Sequence, residues 1–101
     1  MDGSSGGHVD VGELVIELDS TMEKQLNLLI FEIIKWYADL QRAIFYSTRM
    51  ADINQANLEI RKIEIFKFKI FQILNKIKEL YNYSTNKDYL DEIIKICLAV
   101  H

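Results

Sequence analysis

From Met22 onward, apolar residues recur at Leu26, Leu29, Ile33, Trp36, Leu40 and Ala43, in alternating steps of four and three. That stepping keeps one face of an α-helix apolar and predicts a first helix over residues 20–47. A second seam runs through Ala56, Ile63, Phe66, Ile70, Ile73, Ile77 and Leu80 and predicts a helix over residues 52–82. Leu90, Ile93, Cys97 and Val100 mark a shorter third helix over residues 86–100. Around Ile63-x-Ile65 and Phe66-x-Phe68-x-Ile70 the apolar residues also alternate with charges, as in a strand. That alternation fails at Phe71, whereas the helical stepping persists to Leu80.

The punctuation agrees. All four glycines lie at or before Gly12 and proline is absent, which disfavours hairpin turns of strands and suits helices. Ser47 to Asp52 reads as the first turn, with Asp52 or Asn54 capping the second helix. Tyr83 to Asn86 reads as the second turn, with Thr85 or Asn86 as cap and Asp88, Asp91 and Glu92 in the opening turns that follow. Short connections make successive helices antiparallel neighbours. The first helix has a capping-box pattern at Ser20 and Glu23, preceded by Asp19.

Residues 9–19 form an arm with two readings. Leu14, Ile16 and Leu18 alternate like a strand, while Val11, Val15 and Leu18 continue a helical stripe into Met22, with Asp10 and Glu13 as a capping pair. A lone strand has no sheet to join, so helix is favoured. Either one rod back to Asp10 or a bend near Asp19-Ser20-Thr21 fits the pattern. Residues 1–8, rich in Gly and Ser, read as a flexible lead-in, native or left from expression. Residues 9–101 then make one helical domain.

The long helices carry more apolar surface than one another can cover. On the second helix the apolar arc is about 180°, where one packed face needs roughly 100°. Leu58, Ile65 and Phe68 fall outside even that arc, among Arg61, Lys69, Gln72 and Glu79. On the first helix a second stripe, Phe31, Ile34, Ala38 and Phe45, accompanies the main one. The short third helix covers only part of this. The expected fold is therefore all-α: a long antiparallel helical hairpin, a short C-terminal helix and an N-terminal arm, completed to a four-helix-type bundle by dimerisation. An irregular monomeric bundle with a folded-back arm is the alternative. Phe31, Ile34, Phe45, Ile65 and Phe68 are the candidate interface residues.

Charge adds a register. Residues 1–23 contain Asp2, Asp10, Glu13, Glu17, Asp19 and Glu23 without a Lys or Arg, whereas residues 60–78 contain Arg61, Lys62, Lys67, Lys69, Lys76 and Lys78 against Glu64 alone. Opposite fields steer the arm onto the second helix, in cis or between copies, although exposed pairs contribute little stability. Arg61, Lys62, Lys69 and Lys76 form a basic edge that, beside Phe68, could track phosphates. The net charge of −3 weighs against nucleic acid as the main partner.

Little catalytic chemistry is present. His8 and His101 stand at opposite ends of the sequence, and no Cys-x-x-Cys or Glu-x-x-His occurs, so neither a metal site nor a cofactor is expected. Cys97, the only cysteine, lies on an apolar helix face and reads as core. Carboxylates at Asp88, Asp91 and Glu92 suit a helix start without a catalytic role. Trp36, Tyr37, Tyr46, Tyr81, Tyr83 and Tyr89 read as core and rim rather than a ligand pocket. Glu32, Lys35 and Asp39 interrupt the most apolar segment, which excludes a membrane span there. No signal-peptide pattern is seen and the cysteine is unpaired, so a reducing, cytoplasmic setting is expected.

Asp52-Ile-Asn-Gln-Ala-Asn57 with Ile60, and later Leu80-Tyr-Asn-Tyr83, resembles segments of the helical flagellin-export chaperones, though with a shorter spacing between them than that family has. The resemblance implies an export chaperone or adaptor, and the uncovered groove on the long helices would take a partner's amphipathic helix. Taken together, the residues predict a non-enzymatic protein-interaction or assembly module, homodimeric or bound to another protein, with a helix-holding chaperone and a nucleic-acid binder as alternatives.

Overall fold

The computed structural model describes residues 11–100, with side chains from Leu18 onward, and every regular element among them is helical. Helix α1 spans Val11–Ser47, α2 spans Ile53–Glu79, a 3-10 turn covers Tyr81–Tyr83, and α3 spans Lys87–Leu98. At 1.5 Å per residue, α1 is about 55 Å long, α2 about 40 Å and α3 about 18 Å. The lead-in at 1–8, the first two residues of the arm and His101 lie outside the described residues.

At the start of α1 the structure decides between the two readings of the arm. The described part of the arm is helix, and it runs without interruption through Asp19-Ser20-Thr21 into the rest of α1. Ser20 and Glu23 therefore do not begin a helix. The Glu23 Oε2 instead accepts a hydrogen bond from Thr85 Oγ1 at 2.9 Å, tying the second turn to α1. A capping box and an interior pair of small and charged residues look alike in sequence, and the apolar stripe on both sides of Ser20 decides for the interior. Because α1 is one rod over residues 11–47, residues 11–18 cannot fold back along their own helix.

The other boundaries differ by small amounts. Asp52 caps α2, its Oδ1 accepting from the Asn54 backbone N–H at 2.9 Å. Helix α2 stops at Glu79 rather than Asn82, because the chain tightens into the 3-10 turn, where Tyr83 N–H donates to Leu80 O. Asn86 caps α3 by accepting from Tyr89 N–H at 3.1 Å. Tyr81 Oη donates to Asp91 Oδ1 at 2.7 Å, so the turn is also fastened to α3. That bond, together with the Asp91 and Asp88 charges, pushes the Tyr81 phenol above its ordinary 10.0.

Helix α2 packs back along α1. Trp36 and Phe66 meet with ring centroids 5.5 Å apart near the middle of the pair, and Gln25 and Leu29 lie beside Leu80 at its end. Helix α3 lies on one side of this pair, with Ile93, Ile96 and Cys97 against Ile33, Ile34 and Tyr37. The core is Leu26, Ile30, Ile33 and Leu40 from α1, Ile70, Ile73, Leu74 and Ile77 from α2, and Leu90, Ile93 and Cys97 from α3. It occupies only the stretch where three helices run together. The radius of gyration is 20.3 Å, against about 13 Å for a compact domain of this length. An extended molecule of this kind has much surface for little interior.

Candidate protein-binding surface

The five predicted interface residues are all exposed: Phe31 at 76%, Phe68 at 61%, and Ile34, Phe45 and Ile65 at about half. They do not form one surface. Phe31 lies about 160° around α1 from Ile33, which faces the core, and Phe68 lies about 160° around α2 from Ile70, at 100° per residue. Each phenylalanine therefore lies on the side of its own helix away from a core residue. Ile34 rims a small apolar cleft between α1 and α3, beside Ile96. Phe45 is engaged locally: the Arg49 guanidinium stacks over its ring at 3.7 Å and Tyr46 meets it edge-on. On the outer face of α2, Leu58, Ile65 and Phe68 are exposed in a line that also carries Arg61.

Several exposed apolar residues were not singled out by the sequence, Ile53 and Leu28 foremost. Leu28 is 70% exposed. The signal lay in the Leu28-Leu29 doublet, because only one of two adjacent residues can face the core. Leu28 and Leu29 with Phe31 and Leu80 line an open depression between α1 and the end of α2, rimmed by Gln25, Glu32, Lys35, Lys76 and Glu79. It lies on the side of the α1–α2 pair away from α3. An apolar floor with a charged rim is the usual anatomy of a protein-binding patch.

The basic edge is partly spent within the chain. Lys62 pairs with Glu59 at 2.9 Å at one end of the edge, and Lys76 lies at the rim of the depression at the other. Lys69 falls between them by the seven-residue spacing. Arg61 is one residue around, on the outer face with Ile65 and Phe68.

Glu59 itself is the buried charged residue that the sequence reading passed over. It occupies the seam position between Ala56 and Ile63, facing Ala43, Tyr46 and Phe66. A half-sequestered ion pair at a seam position contributes little net stability, because desolvation offsets attraction. Glu59→Leu, which completes the apolar seam, is expected to raise stability by about 1–2 kcal/mol. A urea-unfolding midpoint lower than wild type would contradict this.

Cys97 is 3% exposed, and burial pushes its thiol up from 9.0 to about 11. Above pH 9 the unfolded chain releases this proton first. The stabilising contribution is complete below about pH 9 and is lost as pH rises toward 11. Disulfide-exchange labelling at pH 8 is expected to proceed at the rate of unfolding, and Cys97→Ala is expected to flatten stability between pH 9 and 11. Fast labelling of the folded protein would overturn the buried placement.

Among the described residues no group of His, Cys, Asp and Glu side chains is placed to hold a metal, and no helix is long and apolar enough to cross a membrane. Family profiles, characterised proteins and solved structures were each compared with the chain. None matches. The function has to be read from the exposed faces themselves.

Proposed function

We propose that this chain is a non-enzymatic protein-interaction or assembly module, in which the long antiparallel hairpin of α1 and α2, with α3 on one side, is completed to a four-helix-type bundle by a second copy. The observation that carries the reading is the set of large apolar side chains left in water, above all Leu28, Phe31 and Phe68. Burying each is worth about 1.5–3 kcal/mol, a sizeable share of the roughly 5–15 kcal/mol that holds a domain folded. A short chain with an extended shape gains most by sharing such faces. Light scattering coupled to size exclusion at micromolar concentration tests it. A dimer is expected; a well-behaved 11.8 kDa monomer at every concentration sinks the homodimer.

A second reading has its own support in the depression floored by Leu28, Leu29 and Leu80, which is open along the α1–α2 pair and suits an amphipathic helix. In that case the module is a chaperone or adaptor, and the free chain is monomeric or aggregation-prone until the partner helix is added. Nucleic-acid binding through Arg61, Lys62, Lys69 and Lys76 has less behind it, since Lys62 is tied to Glu59.

A further inference from the structure

The exposed face of α2 combines apolar side chains with charge of one sign. At 100° per residue, Leu58, Arg61, Phe68 and Lys69 all lie within about 60° of Ile65, on the side away from Ile70 and Leu74. Leu58, Ile65 and Phe68 are each more than half exposed, and Arg61 and Lys69 are exposed beside them. The full arc carries Arg61, Lys62, Lys69 and Lys76 against Glu79 alone, which ends the helix. Glu64 falls about 100° around from Ile65 and faces Lys67.

Lys62 is drawn to Glu59. Among the described residues Arg61 and Lys69 make no ion pair. From Leu58 to Phe68 the strip is about 15 Å long, three turns of helix. Its cations have no carboxylate on their own side, and its apolar side chains have no cover.

That make-up discriminates among occupants. An isologous contact would set Arg61 and Lys69 against the same cations of a second copy, which opposes association. At a membrane surface the cations flank the apolar side chains, whereas Arg61 lies between Phe68 and Ile65 around the helix and would be drawn in with them. A phosphate backbone would engage the cations but leave Leu58, Ile65 and Phe68 against charge. The convex side of a helix offers no strand edge for an extended peptide to join. A second helix with an apolar ridge and acidic flanks satisfies both parts of the strip.

We infer that the exposed face of α2 docks an acidic amphipathic helix of another protein. Leu58, Ile65 and Phe68 receive its apolar ridge, while Arg61 and Lys69 pair with carboxylates on its flanks. The guanidinium of Arg61 suits a carboxylate close to the apolar contact, because it is more weakly hydrated than an ammonium. Opposite charge then fixes which helices are accepted and in which orientation. The site lies on a different helix from Leu28 and Phe31 and does not depend on the homodimer.

Fluorescence anisotropy with labelled synthetic peptides and the full chain tests this. One peptide has leucines along one helical face flanked by glutamates; its control has lysine for every glutamate. The acidic peptide is expected to bind about tenfold more tightly or better, and to weaken as salt rises. Arg61→Glu with Lys69→Glu is expected to reverse the preference, and Ile65→Gln with Phe68→Gln to weaken the acidic peptide by about tenfold or more. Leu28→Gln with Phe31→Gln is expected to leave this binding unchanged. Circular dichroism and melting temperature establish that each variant is folded. Equal binding of the two peptides, no binding of either, or a preference that survives the charge reversal overturns the inference. Loss of binding in the Leu28 and Phe31 variant moves the site to the depression and overturns it as well. So does binding of anionic phospholipid vesicles or a single-stranded oligonucleotide in place of the acidic peptide. A monomeric wild type removes the homodimer and leaves this inference standing.

Discussion

Leu74→Ala is expected to lower the free energy of unfolding by about 2–5 kcal/mol. Leu74 is fully buried in the cluster that joins α2 to both α1 and α3. Deleting its branched end loses the transfer energy of three carbons and leaves a hole that helices on two sides cannot easily close. For an extended chain with so few buried residues, this is enough to unfold a large fraction at physiological temperature. Urea titration followed by far-ultraviolet circular dichroism measures it. Phe68→Ala removes a larger side chain only six residues away on the same helix, yet it is expected to leave the unfolding of the isolated chain within about 0.5 kcal/mol, because Phe68 stands on the solvent side. Equal losses from the two substitutions would mean that the faces of α2 are wrongly placed.

The second large effect is on association. Leu28→Gln combined with Phe31→Gln is expected to leave the helical content and melting temperature close to wild type while weakening the proposed dimer at least a hundredfold. The two side chains are exposed in the single chain, so their loss costs the fold little. If covered by a second copy they contribute about 1.5–3 kcal/mol each, and about 1.4 kcal/mol corresponds to a factor of ten. Concentration-dependent sedimentation reads the result. Ile65→Gln with Phe68→Gln, on the exposed face of α2, is expected to spare that dimer and to reduce any further association. An unaffected dimer in the Leu28 and Phe31 variant would remove the α1 face from the interface.

The residues that fill the core were legible in the sequence, because helical periodicity is a local property. The stepping from Leu26 to Ala43 and from Ile63 to Leu80 marks sides that are buried or half-buried in the structure, and Leu90, Ile93 and Cys97 follow the same rule. Caps were legible within a residue or two for the same reason: Asp52 and Asn86 bond to backbone groups two and three positions on. Leu74 and Ile30 were less evident. Each lies beside the main stripe yet is buried in the core, and spacing along one helix does not say how many neighbours that helix has.

The start of α1 shows where local signals stop. Ser20 and Glu23 satisfy the capping pattern, yet the backbone N–H groups there are already bonded within a continuing helix, and Glu23 turns to Thr85, sixty-two positions away. Only the tertiary fold supplies that partner. It also decided that Leu28 and Phe31 open onto a depression shared with Leu80, and that Glu59 sits inside the α1–α2 seam beside Lys62.

By itself, then, the sequence determined the helical class, the three core-facing seams and the excess of apolar surface over what one chain can cover, since each follows from residue types and their angular spacing. The tertiary structure decided which surplus faces adjoin and that α1 runs unbroken from Val11 to Ser47. Those depend on how helices of unequal length are set side by side, and a rod about 55 Å long extends well past one of about 18 Å.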